Sequence, residues 1–423
     1  MVNQESLDAL KLAQYTSYFK KPLYQGYAFS QFPQTIVNLL TKQSKGGLPK
    51  SAIASSYGDY DGVVLFLIDG FGWEFFQTYL PSCPFLQRVV EEGVVSKISS
   101  QFPSTTAAHV TTIHTGLNVG ETGIYEWFYY EPLIKKIITP LLFSYAGDKS
   151  ADRLTPKYEP KQIFSFKTLY QTLLSYHIAS YVFQSDKIAY SSYSKALCEA
   201  ATIVPYTTFS SALDSLVELC CNPQKTPFYA FVYLADIDSM GHRHGISSDF
   251  FSHAVMDCWN LIETNFWQPL RRSGKRIAAL FTADHGMSPV DPDQTLYLNQ
   301  FAPSVLPAIK KDDEGRMLAP AGSCRDLFLH VQEEKILETA SFLEKKLKGV
   351  ADVVLTKKMR EEGFFGKTSE RLQQRIGDLV ILPYYKEAIW WFEKNRFEQH
   401  FFAAHGGLTS QEMESICLFL PHM

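Results

Sequence analysis

The chain has 423 residues, 46% of them hydrophobic and 20% charged, with a net charge of -4, a size and balance that allow a large buried core and exclude disorder. A pI near 6.3 argues against a general nucleic-acid-binding surface, and no apolar run approaches the ~18 residues of a membrane span. Residues 1–21 lack the apolar core of a signal peptide, and seven scattered cysteines without a CxxC pair suit reduced thiols, so a cytoplasmic setting is expected.

Residues 1–60 read as an irregular lead with short helices such as Thr35–Leu40, closing in a Gly/Ser-rich stretch at 45–58. Val63–Ile68 is apolar at every position, the pattern of a strand buried on both faces, and it stops at Asp69-Gly70. A helix is predicted over Pro84–Glu92, with Gly93 as its stop. Next comes Phe102-Pro103-Ser104-Thr105-Thr106-Ala107-Ala108-His109, a turn into a helix that Gly116 ends. Pro103 disfavours helix for Phe102, and Ser104 or Thr105 can cap the new helix. A hydroxyl at such a helix start sits beside unpaired N–H groups, where a phosphate oxygen is favoured. The aromatic run Glu121–Tyr130 suits either core packing or a substrate wall.

Phe166–Leu174 reads as helix, Ile178–Phe183 as strand and Ser210–Leu219 as helix. A second buried strand, Phe228–Leu234, leads to Asp236-Ile237-Asp238 and to His242 and His244 in an expected loop. Ser248 caps a long helix whose inner face is Phe251, Val255, Trp259, Ile262 and Phe266. A third buried strand, Ile277–Thr282, ends in Asp284-His285-Gly286. From 288 to 366 the texture changes to a small β-α-β insert, with strands at 327–331 and 353–355. Its charged helix over 334–348 turns Ile336, Leu337, Ala340, Leu343 and Leu347 inward. The apolar strand Leu379–Leu382 then returns the chain to the main unit, which holds 61–287 and 367–423, and His405-Gly406-Gly407 comes after it.

Asp69, Asp238 and Asp284 each lie at or just beyond a buried strand's carboxyl end, where ligands bind in open α/β sheets. His242, His285 and His405 stand near them in sequence or at a glycine turn. Carboxylates clustered with imidazoles suit zinc or manganese, and without a cation they repel one another.

In this order and at these positions the motifs resemble the alkaline phosphatase superfamily, in its type I phosphodiesterase / nucleotide pyrophosphatase branch. The resemblance rests on Asp69-Gly70, Phe102 to Thr106, Thr115-Gly116-Leu117, Asp238 to Gly245, Asp284 to Met287 and His405-Gly406-Gly407. It implies a three-layer α/β/α sandwich with a mostly parallel central sheet and a small α+β insert, and residues 61–287 and 367–423 as the metal-binding catalytic core. It also implies two divalent ions, zinc with manganese as the alternative. One would be held by Asp238, His242 and His405, the other by Asp69, Asp284 and His285 with the Thr106 oxygen. Thr106 would be the nucleophile, with Thr105 its rival, and a phospho-threonine would form and be hydrolysed. His114 and His244 fall off the motif and are expected to be structural.

The family's phosphodiesterases usually carry Lys just before the nucleophile and Asn three residues after it; here those positions are Thr105 and His109. His109 is the candidate donor to a phosphate oxygen, and Trp127 the candidate contact for a base or acyl group. A monoester dianion wants an extra cation, commonly arginine. Neither Lys nor Arg occurs between Lys97 and Lys135, so a small phosphodiester such as a nucleotide is the expected substrate, unless Arg243 or Arg325 arrives from elsewhere. The Cys-x-Pro-x-Arg stretch of sulfatases is absent.

Overall fold

Alternate side chains of the first apolar run face two different cores. Val63, Leu65 and Leu67 join one and Val64, Phe66 and Ile68 the other, as expected of a strand covered on both sides. This computed structural model describes residues 1–53, 60–222 and 227–422; part of the Gly/Ser-rich stretch, 54–58, lies outside them.

The main sheet is built from β1 (Gly62–Ile68), β2 (Val94–Ser99), β3 (Ala179–Ser185), β4 (Thr202–Tyr206), β5 (Phe228–Leu234) and β6 (Ile277–Thr282). Strands β7 (Leu327–Leu329), β8 (Ala351–Leu355) and β9 (Leu379–Pro383) form a smaller sheet, and β10 (Glu414–His422) rejoins the main one. The main order is β2-β10-β6-β1-β5-β3-β4. Strands β6, β1, β5, β3 and β4 run parallel, and β10 lies antiparallel to both β6 and β2.

Helices α1 (Phe32–Thr41) and α2 (Pro84–Glu92) pack on opposite faces of the sheet. Of the rest, α3 (Thr106–Thr115) joins the α1 side, while α4 (Asp236–His244) and α5 (Asp249–Leu261) pack on the α2 side. This is the expected three-layer α/β/α architecture. The side chain of Ser248 accepts from the Phe251 N–H and caps α5, as predicted. Among the described residues no helix is long and apolar enough to cross a membrane.

Three readings change. The strand at 379–382 does not return to the main sheet: β9 is the centre of the small one, antiparallel to β7 and β8. Strands β2 and β10, which the sequence pattern had not signalled, complete one side of the main sheet. In helix α6 (Ile336–Lys346), Leu337 is 72% exposed, not inward. A three-stranded sheet is narrow and covers only the stripe through Ala340, Leu343 and the nearby Leu347.

Candidate metal centre and active site

Register brings the carboxyl ends of three central strands level: Ile68 lies opposite Leu234, and Leu67 opposite Tyr233 and Thr282. Asp69 and Asp284 therefore emerge side by side, and the Gly70 N–H donates to Asp284 Oδ1 at 3.2 Å. Asp238 is reached differently. The expected loop at 241–245 is largely helical, because α4 begins at Asp236 and runs to His244. Asp238 and His242, four apart, consequently share one helix face, with Nε2 3.3 Å from Oδ2.

His405 comes from the far end of the chain and completes the cluster. Its Nε2 is 3.6 Å from Asp238 Oδ1, and its ring stacks on His285 at 3.6 Å between centroids. His285 Nε2 lies 3.4 Å from Asp69 Oδ1 and 3.2 Å from Asp284 Oδ2. All three rings turn Nδ1 to a backbone carbonyl: His242 to Ala403 at 2.7 Å, His285 to Gly286 at 3.1 Å, His405 to Ser104 at 2.9 Å. A carbonyl only accepts, so Nδ1 carries a proton and Nε2 is the nitrogen left to face the carboxylates, or a metal ion held among them.

Thr106 opens α3 beside this cluster. Its Oγ1 is 3.4 Å from each Asp69 oxygen and 3.3 Å from His285 Nε2. The capping expectation is corrected: Thr105 occupies the N-cap position, but its side chain makes no capping bond. Ser104 instead donates to the Gly407 carbonyl at 2.8 Å and accepts from the Gly406 N–H at 3.2 Å, tying the helix start to the His405 turn. The first N–H groups of α3 therefore have no capping side chain.

Ligand atoms of Asp238, His242 and His405 lie within 4.8 Å of one another, as do those of Asp69, Asp238 and His285, so Asp238 stands between two candidate metal positions. The donor set fits a cation. Asp238 Oδ1 and Asp284 Oδ2 are buried without a hydrogen-bond partner, an expensive state for a carboxylate oxygen unless a positive charge faces it. Burial, then the Asp284 and Asp238 carboxylates, push the Asp69 carboxyl well above its usual range. Burial lowers the His285 imidazole, but Asp284, Asp69 and Asp238 outweigh it and carry it up to about 10. The cluster pulls in positive charge.

His109 does not reach the site, which corrects the expectation that it donates to phosphate. It is fully buried, with Nδ1 on the Thr105 carbonyl at 2.7 Å and Nε2 accepting from the Gln101 N–H at 2.9 Å. Burial lowers its pKa to about 4, so a neutral ring packs beneath the Thr105–Thr106 turn. Trp127 is 38% exposed and lines two cavities that meet at Thr106, whereas Tyr125 and Tyr129 are core, so core packing accounts for those two tyrosines. His114 is buried on the Tyr170 hydroxyl at 2.7 Å and His244 stacks on Phe250. Arg325 supplies no cation to phosphate: it is fully buried on Glu412, at 3.0 and 2.9 Å. Arg243 lines the cavity of about 500 Å³ beside Thr106.

Tyr233 was not singled out by sequence reasoning. Its hydroxyl donates to Asp69 Oδ2 at 2.6 Å. Within an apolar strand its only signal was a polar-tipped ring one residue short of the strand's end.

A family profile described as type I phosphodiesterase / nucleotide pyrophosphatase matches residues 63–408. Ectonucleotide pyrophosphatase/phosphodiesterase family member 3 from Rattus norvegicus is 25% identical over 254 residues, 58% of this chain, and its Mus musculus counterpart matches equally. The match spans 27% of the length of those relatives. Among solved structures, murine ectonucleotide pyrophosphatase / phosphodiesterase 5, an inactive variant in complex with AMP, superposes with a TM-score of 0.62 at 18% identity. It covers 85% of this chain and 87% of its own. The human protein of that name gives 0.61 with the same coverage.

Proposed function

The chain belongs to the type I phosphodiesterase / nucleotide pyrophosphatase family, and from that premise we propose that it is a metal-dependent hydrolase of phosphodiester or pyrophosphate bonds with Thr106 as nucleophile. The observation that carries the reading is the Thr106 hydroxyl, held 3.3–3.4 Å from Asp69 and His285 where two cavities meet.

Asp69, Asp284, His285 and the Thr106 oxygen would hold one divalent ion, and Asp238, His242 and His405 a second; zinc suits this mixed carboxylate and imidazole set, with manganese the alternative. When bound, such a pair lowers the pKa of an attached hydroxyl and offsets charge on the attacking and leaving oxygens. The chain's own contribution is positional. Branching at Cβ restricts the rotamers of Thr106 and keeps Oγ1 aimed, Tyr233 fixes the Asp69 carboxylate, and the N–H groups opening α3 face the phosphoryl oxygens. A phospho-threonine forms by in-line displacement and is then hydrolysed.

Cations near the nucleophile are few, since Arg325 is committed to Glu412 and 98–134 contain neither Lys nor Arg, which leaves Arg243 and Lys187 along the first cavity. A singly charged diester suits such a site better than a monoester dianion. The AMP complex of the murine relative supports a nucleotide as the substrate class. A reducing, cytoplasmic setting is part of the proposal, supported by seven unpaired cysteines, six of them buried; a thiol titration of the unfolded, unreduced protein that finds fewer than seven overturns it.

Bis-p-nitrophenyl phosphate and p-nitrophenyl phosphate, each assayed with and without chelator, test the chemistry. The diester is expected to be preferred. Thr106→Ala should lower kcat by at least about a thousandfold, and chelation should abolish turnover while lowering Tm, because ligands of the native state stabilise it. Activity that survives both treatments removes the mechanism, and a clear monoester preference removes the substrate class.

A further inference from the structure

The two cavities share only Thr106 and Trp127 and differ in chemistry. The first, of about 500 Å³, carries the cations Lys187 and Arg243 and one carboxylate, Asp236. The second, of about 400 Å³, is walled by aromatic rings, Trp127, Phe128, Trp390, Phe397 and Phe401 among them, and by the carboxylates Glu126 and Glu398. Among the described residues the only Lys or Arg along it, Arg396, is already spent: its Nη1 reaches both Glu393 oxygens at 3.0 and 3.2 Å, and its Nη2 the Ala146 carbonyl at 2.8 Å. Phe401 is 45% exposed and Trp127 38%, so bare ring surface is offered beside the reacting centre.

In-line displacement sets the direction, because it places attacking and leaving oxygens on opposite sides of phosphorus. Thr106 Oγ1 is bonded toward Asp69 and His285. Asp238, His242 and His405 border the second cavity and not the first. The leaving oxygen therefore departs into the aromatic cavity. Resting on the function proposed above, we propose that this cavity is a leaving-group subsite that selects an uncharged planar ring system, the base of a second nucleoside, over pyrophosphate. Rings stack on a base whatever its identity, whereas Glu398 repels a polyanion; burial pushes Glu126 up to about 7, so it adds only part of a charge.

Three substrates with the same retained half test this: thymidylyl-thymidine, the methyl ester of thymidine 5′-monophosphate, and thymidine triphosphate, all yielding thymidine 5′-monophosphate. The dinucleotide should exceed the methyl ester in kcat/KM by about tenfold or more, the scale of one stacked base. Phe401→Ala should bring the ratio of the first two toward one, and Phe401→Tyr should restore it. In Thr106→Ala protein saturated with thymidine 5′-monophosphate, thymidine should quench tryptophan fluorescence saturably and pyrophosphate should not. Pyrophosphate competing with thymidine, or a ratio indifferent to Phe401, overturns the inference. Hydrolysis of all three at similar kcat/KM overturns it alone, and hydrolysis of none overturns the proposed function with it.

Discussion

Tyr233 shows how a single hydroxyl sets a carboxylate. Its O–H donates to Asp69 Oδ2 at 2.6 Å, and burial, then Asp69 itself, push the phenol well above its usual pKa, so it stays a donor at any working pH. Removing the hydroxyl frees Asp69 to rotate. Tyr233→Phe should weaken metal affinity by about tenfold to a hundredfold, the usual cost of losing a group that orients a ligand, with little change in Tm. A competition titration against a chromogenic chelator measures it, and unchanged affinity would show that packing alone holds Asp69. The acidic and imidazole members of the site were legible in sequence because glycines and strand ends flag them. Tyr233 was not, since a tyrosine in an apolar strand gives no sign of where its tip ends. His109 misled for the opposite reason: its place in the motif suggested a ligand contact, but its helix turns it inward onto Thr105 and Gln101.

At the scale of elements, the loops after β1 and β6 are set by glycines that let two backbones touch. A Cβ on Gly286 would lie 2.1 Å from the Gln411 carbonyl oxygen, and one on Gly72 would lie 2.6 Å from the Gly286 Cα. No flexible side chain is there to give way, so Gly286→Ala must push the His285 loop away from its neighbours. Activity is expected to fall by more than about tenfold, since ~1 Å of misplacement costs on that order or more, while far-UV circular dichroism stays native. Full activity would mean that the loop position is not critical. The parallel strands β1, β5 and β6 were readable from unbroken apolar runs. Strand β2 was not, because Ser96, Lys97 and Ser99 interrupt it, Lys97 being held by Glu414 at 2.7 Å. Strand β9 was recognised but assigned to the wrong sheet: an apolar run states that a strand is buried on both faces, not which strands it pairs with.

Across the whole molecule, the buried Arg325–Glu412 pair joins distant segments. Arg325 also donates to the Tyr384 and Glu387 carbonyls, and Glu412 accepts from the Gly407 N–H at 3.0 Å and the Thr409 hydroxyl at 2.6 Å. Arg325→Met leaves a buried carboxylate with two hydrogen bonds but no counter-charge, which costs up to about 3–5 kcal/mol. Thermal unfolding should shift down by several degrees, and the double change Arg325→Met with Glu412→Leu should recover much of the loss. A double variant no more stable than the single one would argue against the charge account. Sequence reading could place Arg325 only as a free cation, because its partner lies 87 residues away. The insertion of β10 between β6 and β2 has its own consequence, in time and not in space. It is the last of the sheet's strands to leave the ribosome, and until it arrives β6, with Asp284 and His285 at its tip, is an open edge inviting other chains. A nascent polypeptide halted before residue 414 already contains every acid and imidazole of the centre, yet carries Asp284 and His285 beside an open sheet edge.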